Sequence, residues 1–259
     1  MIRGLYASGW SMMANSRRMD IISNNIANVN TNGFKKDSAI FVSFPELLAK
    51  RVNDYRSTAN PSGRIGTMSI SSDVGEVFTY YNQGQLNKTG NRLDLAIHDS
   101  GNAFFTIAFA AADGTIRELY TRDGAFTISP QNILVTKEGY PVMGENGLIH
   151  IQDREFTVDE NGTIIQNGTA LDRLLIRSYN DTATLRKVGS NMVETTEQTE
   201  EQPFNGSVIQ EYLEQSNVNV IKEMVDMVTV LRAYEANQKI LQIQDGTLEK
   251  AVNEVGIVR

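Results

Sequence analysis

The sequence predicts an α+β protein: N- and C-terminal helices forming an antiparallel, coiled-coil-like unit, with a central antiparallel β domain between them. Three observations predict it. Apolar residues recur at helical spacing at both ends. Turn dipeptides punctuate short β-rich runs in the middle. Gly/Ser/Thr-rich and acidic stretches separate the two kinds of pattern. The expected segments are a helix at 1–33, an extended arm at 34–82, a β-rich domain at 83–193, an acidic linker and approach at 194–215, and a helix at 216–259.

The C-terminal helix rests on Val220, Met224, Met227, Leu231, Tyr234, Gln238, Leu241, Asp245, Leu248, Val252 and Val255, which alternate four- and three-residue steps. All but Gln238 and Asp245 are apolar, so the run reads as a heptad-like seam without proline. Asn219 stands where an N-cap belongs, its side-chain oxygen able to accept an orphan backbone N–H. A thinner stripe marks the N-terminal helix: Leu5, Met12, Met19, Ile22, Ile26 and Val29. Small Ser8, Gly9 and Ser16 lie between and would admit a partner helix closely. Asn32-Gly33 is the expected stop, because both residues tolerate the left-handed conformation.

Between the ends, Asp113-Gly114, Asp123-Gly124, Asn146-Gly147, Asn161-Gly162 and Asn167-Gly168 read as turns joining runs such as FFTIAF, LIHI and LLIRSY. STANPSGRIGTMSISS before this region and ETTEQTEEQP after it read as linkers or extended arms. Two helices cannot bury both of their apolar sides on each other. A long pair with a Met-rich seam leaves surface for further copies of itself.

Composition excludes several functions. A net charge of −7 argues against a nucleic-acid partner, which needs a basic face. With no cysteine there is no disulfide, thiolate nucleophile or Cys metal site. No apolar run approaches the roughly 18 residues that span a bilayer. The N-terminal apolar run is broken by Ser8, Gly9, Ser11 and Asn15, with arginines after it, so no secretory signal is expected. His98 and His150 lack metal-ligand spacing, and no P-loop, GxSxG or GxGxxG after a strand occurs, so no catalytic, cofactor or metal site is expected. Asp94 and Asp99 flank the LAIH run; they are an acidic pair in principle and solvated turn residues in the plainer reading. Turn chemistry accounts for Asp123 and Asp153. Met12, Met13, Met19, Met224 and Met227 suit a soft interface better than a cofactor box. The acidic run Glu194 to Glu201 reads as a solvated linker before a cation site.

The stretch NNIANVNTNGFKK, Asn24 to Lys36, holds five asparagines in nine residues. Helix termination explains Asn30, Asn32 and Gly33 but explains Asn24, Asn25 and Asn28 less well, since these fall inside the expected helix. A second polar cluster, Ser216-Asn217-Val218-Asn219, opens the other helix, at the same end of an antiparallel pair. Amides donate and accept, so these residues either build polar loops or pair between identical neighbouring copies.

These stretches resemble a known family. NNIANVNTNGFKK is similar to the N-terminal signature of the flagellar rod and hook family of axial proteins. SNVNV (Ser216 to Val220), Met224-Val225 and LRAYEAN (Leu231 to Asn237) resemble its C-terminal helix motif. GQLNKTGNRLDLAI, YTRDGAFTI and LVTKEGYPVMGE resemble the β domain of its rod branch, the FlgG and FlgF kind. The chain departs from the pattern at Ala103 and Glu211, where the family usually has glycine. Pro61-Ser62-Gly63 and Ile65-Gly66-Thr67 resemble a segment of distal-rod proteins.

The resemblance implies a structural subunit of the basal-body rod, not an enzyme, self-assembling through its terminal helices into an axial tube that transmits torque. It implies as partners the chain itself, other rod and hook proteins, the flagellar type III export apparatus and ring proteins. Nucleic acid and direct membrane insertion are not implied, nor is a cofactor. It implies an extracytoplasmic place in the basal body, reached without a cleaved signal peptide, and termini that order on assembly. The expected self-assembly residues are Asn24, Asn25, Asn28, Asn30, Gly33, Asn217, Asn219, Met224, Leu231 and Tyr234. The competing reading is a non-enzymatic β-domain binding module for cell wall or a ring protein, dimerised by a helical coiled coil. A dimer saturates, whereas a heterologous contact grows into filaments.

Overall fold

Two units emerge in the computed structural model, which describes residues 2–50, 64–69, 71–99, 101–110, 116–152 and 155–255. One gathers Met1–Asn24, Asp37–Phe78 and Ile221–Arg259; the other gathers Asn25–Lys36 and Thr79–Val220. Asp113-Gly114, Asp153 and Pro61-Ser62-Gly63, each singled out in the sequence, lie outside the described residues.

The first unit contains two helices, α1 (Ile2–Ala27) and α2 (Val220–Lys250). The second helix opens directly after Asn219, as its N-cap position requires. The first stops at Ala27, earlier than Asn32-Gly33 suggested. Tight turns replace the helical ladder there: the Val29 N–H donates to Ile26 O at 3.3 Å and the Thr31 N–H to Asn28 O at 3.1 Å. Asn24 and Asn25 are therefore helical, while Asn28 is past the end.

The seam on α2 is half as expected. Met227, Tyr234, Leu241 and Leu248 are half-buried, but the positions completing the covered stripe are Glu223, Val230, Asn237 and Gln244. Met224, Leu231, Gln238, Asp245 and Val252, expected in the seam, are exposed on the next flank. Of the small residues expected to admit a partner helix, Ser8 alone is buried. A β-carbon at Gly9 would meet nothing within 4 Å, and Ser16 is exposed. The close approach is at Gly4, where a β-carbon would fall 2.4 Å from Gln244 Nε2.

Residues of the expected arm form two-stranded ribbons, Asp37–Ser43 with Ser72–Thr79 and Leu47–Lys50 with Arg64–Met68. Trp10 of α1 meets Phe44 edge-to-face at 4.9 Å, and Arg17 pairs with Asp73 at 3.0 Å.

The second unit is a β module. Its largest sheet runs, in spatial order, Arg186–Val188, Met192–Glu194, Ile116–Thr121, Ala103–Ala110, Ile176–Tyr179, Glu201–Gln202, with antiparallel neighbours. Strand alternation sends Phe105 and Ile107 into a core with Leu95, Phe126, Leu134 and Ile164, and sends Phe104 into a second cluster with Tyr120 and Tyr179. Ala103, a departure from the pattern the sequence resembles, is wholly buried, so its methyl is absorbed.

Turn chemistry sorts the dipeptides. Asn167 (φ 51°) and Gly168 (φ 77°) form the two-residue turn between Thr163–Gln166 and Thr169–Arg173. Asn161-Gly162 closes the turn between Thr157–Val158 and Thr163–Gln166. Around Asn146 the register pairs Gly144 with Gly147, so Glu145 and Asn146 are the turn residues. Asp123-Gly124 is no hairpin turn: the chain passes hard against another strand there, and a β-carbon on Gly124 would lie 1.6 Å from Leu95 O.

The expected linker at 194–215 is part of the module. Glu201–Gln202 pairs with Ile176–Tyr179, Ser207–Gln210 with Leu95–His98, and Tyr212–Glu214 with Leu86–Lys88. Val208 supplies the reason, since it is an apolar anchor filling the main core.

Candidate assembly surface and its polar root

On α2, Ile221, Met224, Val225, Val228 and Leu231 recur at three- and four-residue steps and are all exposed, Ile221 by 77% and Val225 by 60%. The ribbons add Ile40, Phe41, Val42, Leu47 and Leu48, also exposed. Apolar side chains exposed in such number are the material of an interaction face.

The sequence-expected residues divide between two places. Met224 and Leu231 lie on the open stripe, and Tyr234 on the half-buried one. Asn24, Asn30 and Asn219 are exposed; Asn28 is half-buried and accepts the Thr31 hydroxyl at 3.2 Å. Asn25, Asn28, Asn30, Gly33, Asn217 and Asn219 all fall within the β module, and of these Asn25 is completely buried.

The loop that follows Asn25 docks through charge. Gly33 adopts φ +66°, and a β-carbon there would lie 2.6 Å from the Arg122–Asp123 backbone, so a side chain would have to displace main chain. Its N–H donates to Glu214 O at 2.8 Å. Two residues on, buried Lys35 places Nζ 2.5 Å from Glu214 Oε1 and donates to Asn82 O at 2.9 Å. Glu214 Oε1 also accepts the Gly84 N–H at 2.8 Å, and its Oε2 lies 3.3 Å from Arg122 Nη1. Arg122 Nη2 pairs with Asp99, whose carboxylate accepts backbone N–H groups of Gly101, Asn102 and Ala103. The Arg122 guanidinium also lies over the Phe104 ring at 5.5 Å.

Two cations and two anions thus neutralise each other inside the module. Burial pulls the Lys35 ammonium below its usual range, with the Glu214 carboxylate opposing. Beside Arg122, burial pushes the Asp123 carboxyl up to about 6, against the Ala125 N–H that stabilises its ionised form. Asp94 and Asp99 are turn residues but are not solvated as expected. Asp94 is buried and accepts from Thr89 Oγ1 at 2.6 Å and Asn91 Nδ2 at 3.0 Å, while Asp99 faces Arg122.

Lys35, Arg122 and Glu214 were not singled out from the sequence, and Asp99 was singled out only as an acid flanking the LAIH run. Their one local signal is a charge set inside an apolar β run, as in YTRDGAF and YLE, rather than at its end. Each charge is paired with another protein charge or with main chain, so the cluster fastens chain segments. Among the described residues no group of three His, Cys, Asp or Glu could hold a metal ion, and no helix is long and apolar enough to cross a membrane.

Comparison with known proteins bears on the same segments. Three family models match: flagella basal body rod protein over residues 5–35, flagellar hook protein FlgE/F/G D1 domain over 96–166, and flagellar basal body rod FlgEFG protein C-terminal over 209–254. The flagellar basal-body rod protein FlgG of Agrobacterium fabrum is 35% identical over 94% of this chain and 96% of its own. The flagellar basal-body rod protein FlgF of Caulobacter vibrioides is 34% identical over 99% of each chain. The flagellar hook-basal body complex protein FlhO of Bacillus subtilis is 30% identical, again over 99% of each.

Proposed function

Since the chain belongs to the flagellar basal-body rod family, whose members are structural and non-enzymatic, we propose that it self-assembles through its terminal helices into the axial tube that transmits torque. The observation that carries this reading is the open apolar stripe on α2. A lone chain gains nothing from that stripe; identical neighbours packed side by side bury it. In this reading α1 and α2 form an antiparallel coiled-coil-like pair, supported by the approach of Gly4 to Gln244. Asn24, Asn28, Asn30 and Asn219 pair with polar groups of neighbouring subunits, and Met224, Leu231 and Tyr234 supply apolar contact. Asn25, Gly33 and Asn217 serve assembly indirectly, by fixing the segments from which the helices depart.

The same reading makes the protein a distal-rod subunit. Its partners are other rod and hook proteins, ring proteins and the type III export apparatus, and it works outside the cytoplasm. Negative-stain microscopy of the intact chain beside a chain ending at residue 219 tests it. Tubes or filaments from the intact chain alone are expected. A saturating dimer would transfer the protein to the binding-module reading, and small particles from both chains would contradict self-assembly.

A further inference from the structure

The chain crosses the boundary of the β module after Asn24, Lys36, Phe78 and Val220. One side chain inside the module ties together segments next to three of these crossings. Asn217 Oδ1 accepts the Lys36 N–H at 2.8 Å, while Nδ2 donates to Tyr80 O at 2.7 Å and to Asn82 O at 3.1 Å. The main chain closes the same junction: the Tyr80 N–H donates to Lys36 O at 2.9 Å and the Asn217 N–H to Phe34 O at 3.4 Å. Both amide hydrogens of Asn217 and one lone pair of its oxygen are committed, all to backbone. Of residues this short, asparagine alone carries two donors and an acceptor on one planar group. Directly beneath sits the Lys35–Glu214 pair, one residue before Lys36 and three before Asn217.

We propose that Asn217 is a positioning residue whose amide staples segments 34–36, 80–82 and 216–218 into one junction, so that three of the four boundary crossings cannot shift independently. The device is conformational. Without the staple, segment 33–36 opens from the module more often, in a local transition that leaves the central strands intact. The inference rests on contacts within the module and goes beyond the rod reading; it holds or fails whatever the protein assembles into.

Hydrogen exchange on the intact chain tests it, read at the Lys36 and Tyr80 amides with Thr106 and Leu119 of the central strands as reference. Asn217→Ala is expected to speed exchange at Lys36 and Tyr80 on the order of tenfold, the worth of an ordinary hydrogen bond. Thr106 and Leu119 should keep their protection. Asn217→Asp keeps an acceptor for the Lys36 N–H but turns a carboxylate oxygen on the Tyr80 and Asn82 carbonyls, and should speed exchange at Lys36 and Tyr80 at least as much as Asn217→Ala, with the strands again unchanged. Unchanged exchange at Lys36 in Asn217→Ala would overturn the proposal. So would loss of protection at Lys36 in step with Thr106 and Leu119 in both variants, since Asn217 would then be a general fold residue.

Discussion

In the β module Phe104, Phe105, Phe126 and Phe156 are all buried, whereas in the helical unit Ile221, Val225, Ile243 and Phe41 stand exposed. The module closes its apolar side chains against one another and even buries Lys35, Arg122 and Glu214 by pairing them with one another and with half-buried Asp99. The helical unit covers one stripe of α2 and leaves another open. Burial is the dominant favourable term in folding, so the β module is complete as it stands, whereas the helical unit is completed by the neighbours that the proposed assembly supplies.

Charge removal should break this comparison most visibly. Glu214→Gln leaves Lys35 and Arg122 buried without their shared anion, at a cost of about 3–5 kcal/mol in urea unfolding. The matching change at the solvent-exposed pair of the helical unit, Asp73→Asn, should cost about 1 kcal/mol or less, because water screens Arg17. Equal costs would mean that the Glu214 cluster is no more enclosed than a surface pair.

Acidity separates the units next. The folded pKa of Asp123, about 6, lies above its ordinary 3.8, so the native module holds this proton more tightly than the unfolded chain does. Its contribution is therefore full below pH 3.8 and lost as pH rises to about 6, in total about 3 kcal/mol. Asp123→Asn should flatten that part of the stability profile and stabilise the module at pH 7. A profile that keeps its slope would place the titration on another group.

The smallest effect is local. Glu211 holds φ +67° while its carbonyl accepts the Thr89 N–H at 2.8 Å, a left-handed conformation that costs a non-glycine residue about 1–2 kcal/mol. Glu211→Gly should relieve it, less the extra chain entropy glycine loses, for a net gain of about 0.5–1 kcal/mol in thermal unfolding. The sequence had flagged the position as a departure from the pattern it resembles.

Legibility followed range. Both helices could be read because a helical repeat is written in adjacent turns, and Asn167-Gly168 because its turn is closed by two residues. On α2 the repeat was legible but its flank was not. Met224 and Leu231 are as apolar as Met227 and Val230, so polarity alone favoured a stripe that the fold leaves open and passed over Glu223, Asn237 and Gln244. Strands 207–210 and 212–214 hid behind an acidic run, and their partners lie more than about a hundred residues earlier. The charge cluster was the least visible, since Lys35 and Glu214 meet across 179 positions and nothing near either one announces the other.

The most direct test of the division between a finished module and an unfinished helical face is the variant Ile221→Ser, Val225→Ser, Val228→Ser. It should be compared with the unaltered chain by negative-stain microscopy and by thermal unfolding followed in the near-ultraviolet. The expected result is loss of tubes or filaments with the module's unfolding transition unmoved. Filaments that persist, or a transition that falls together with them, would contradict it.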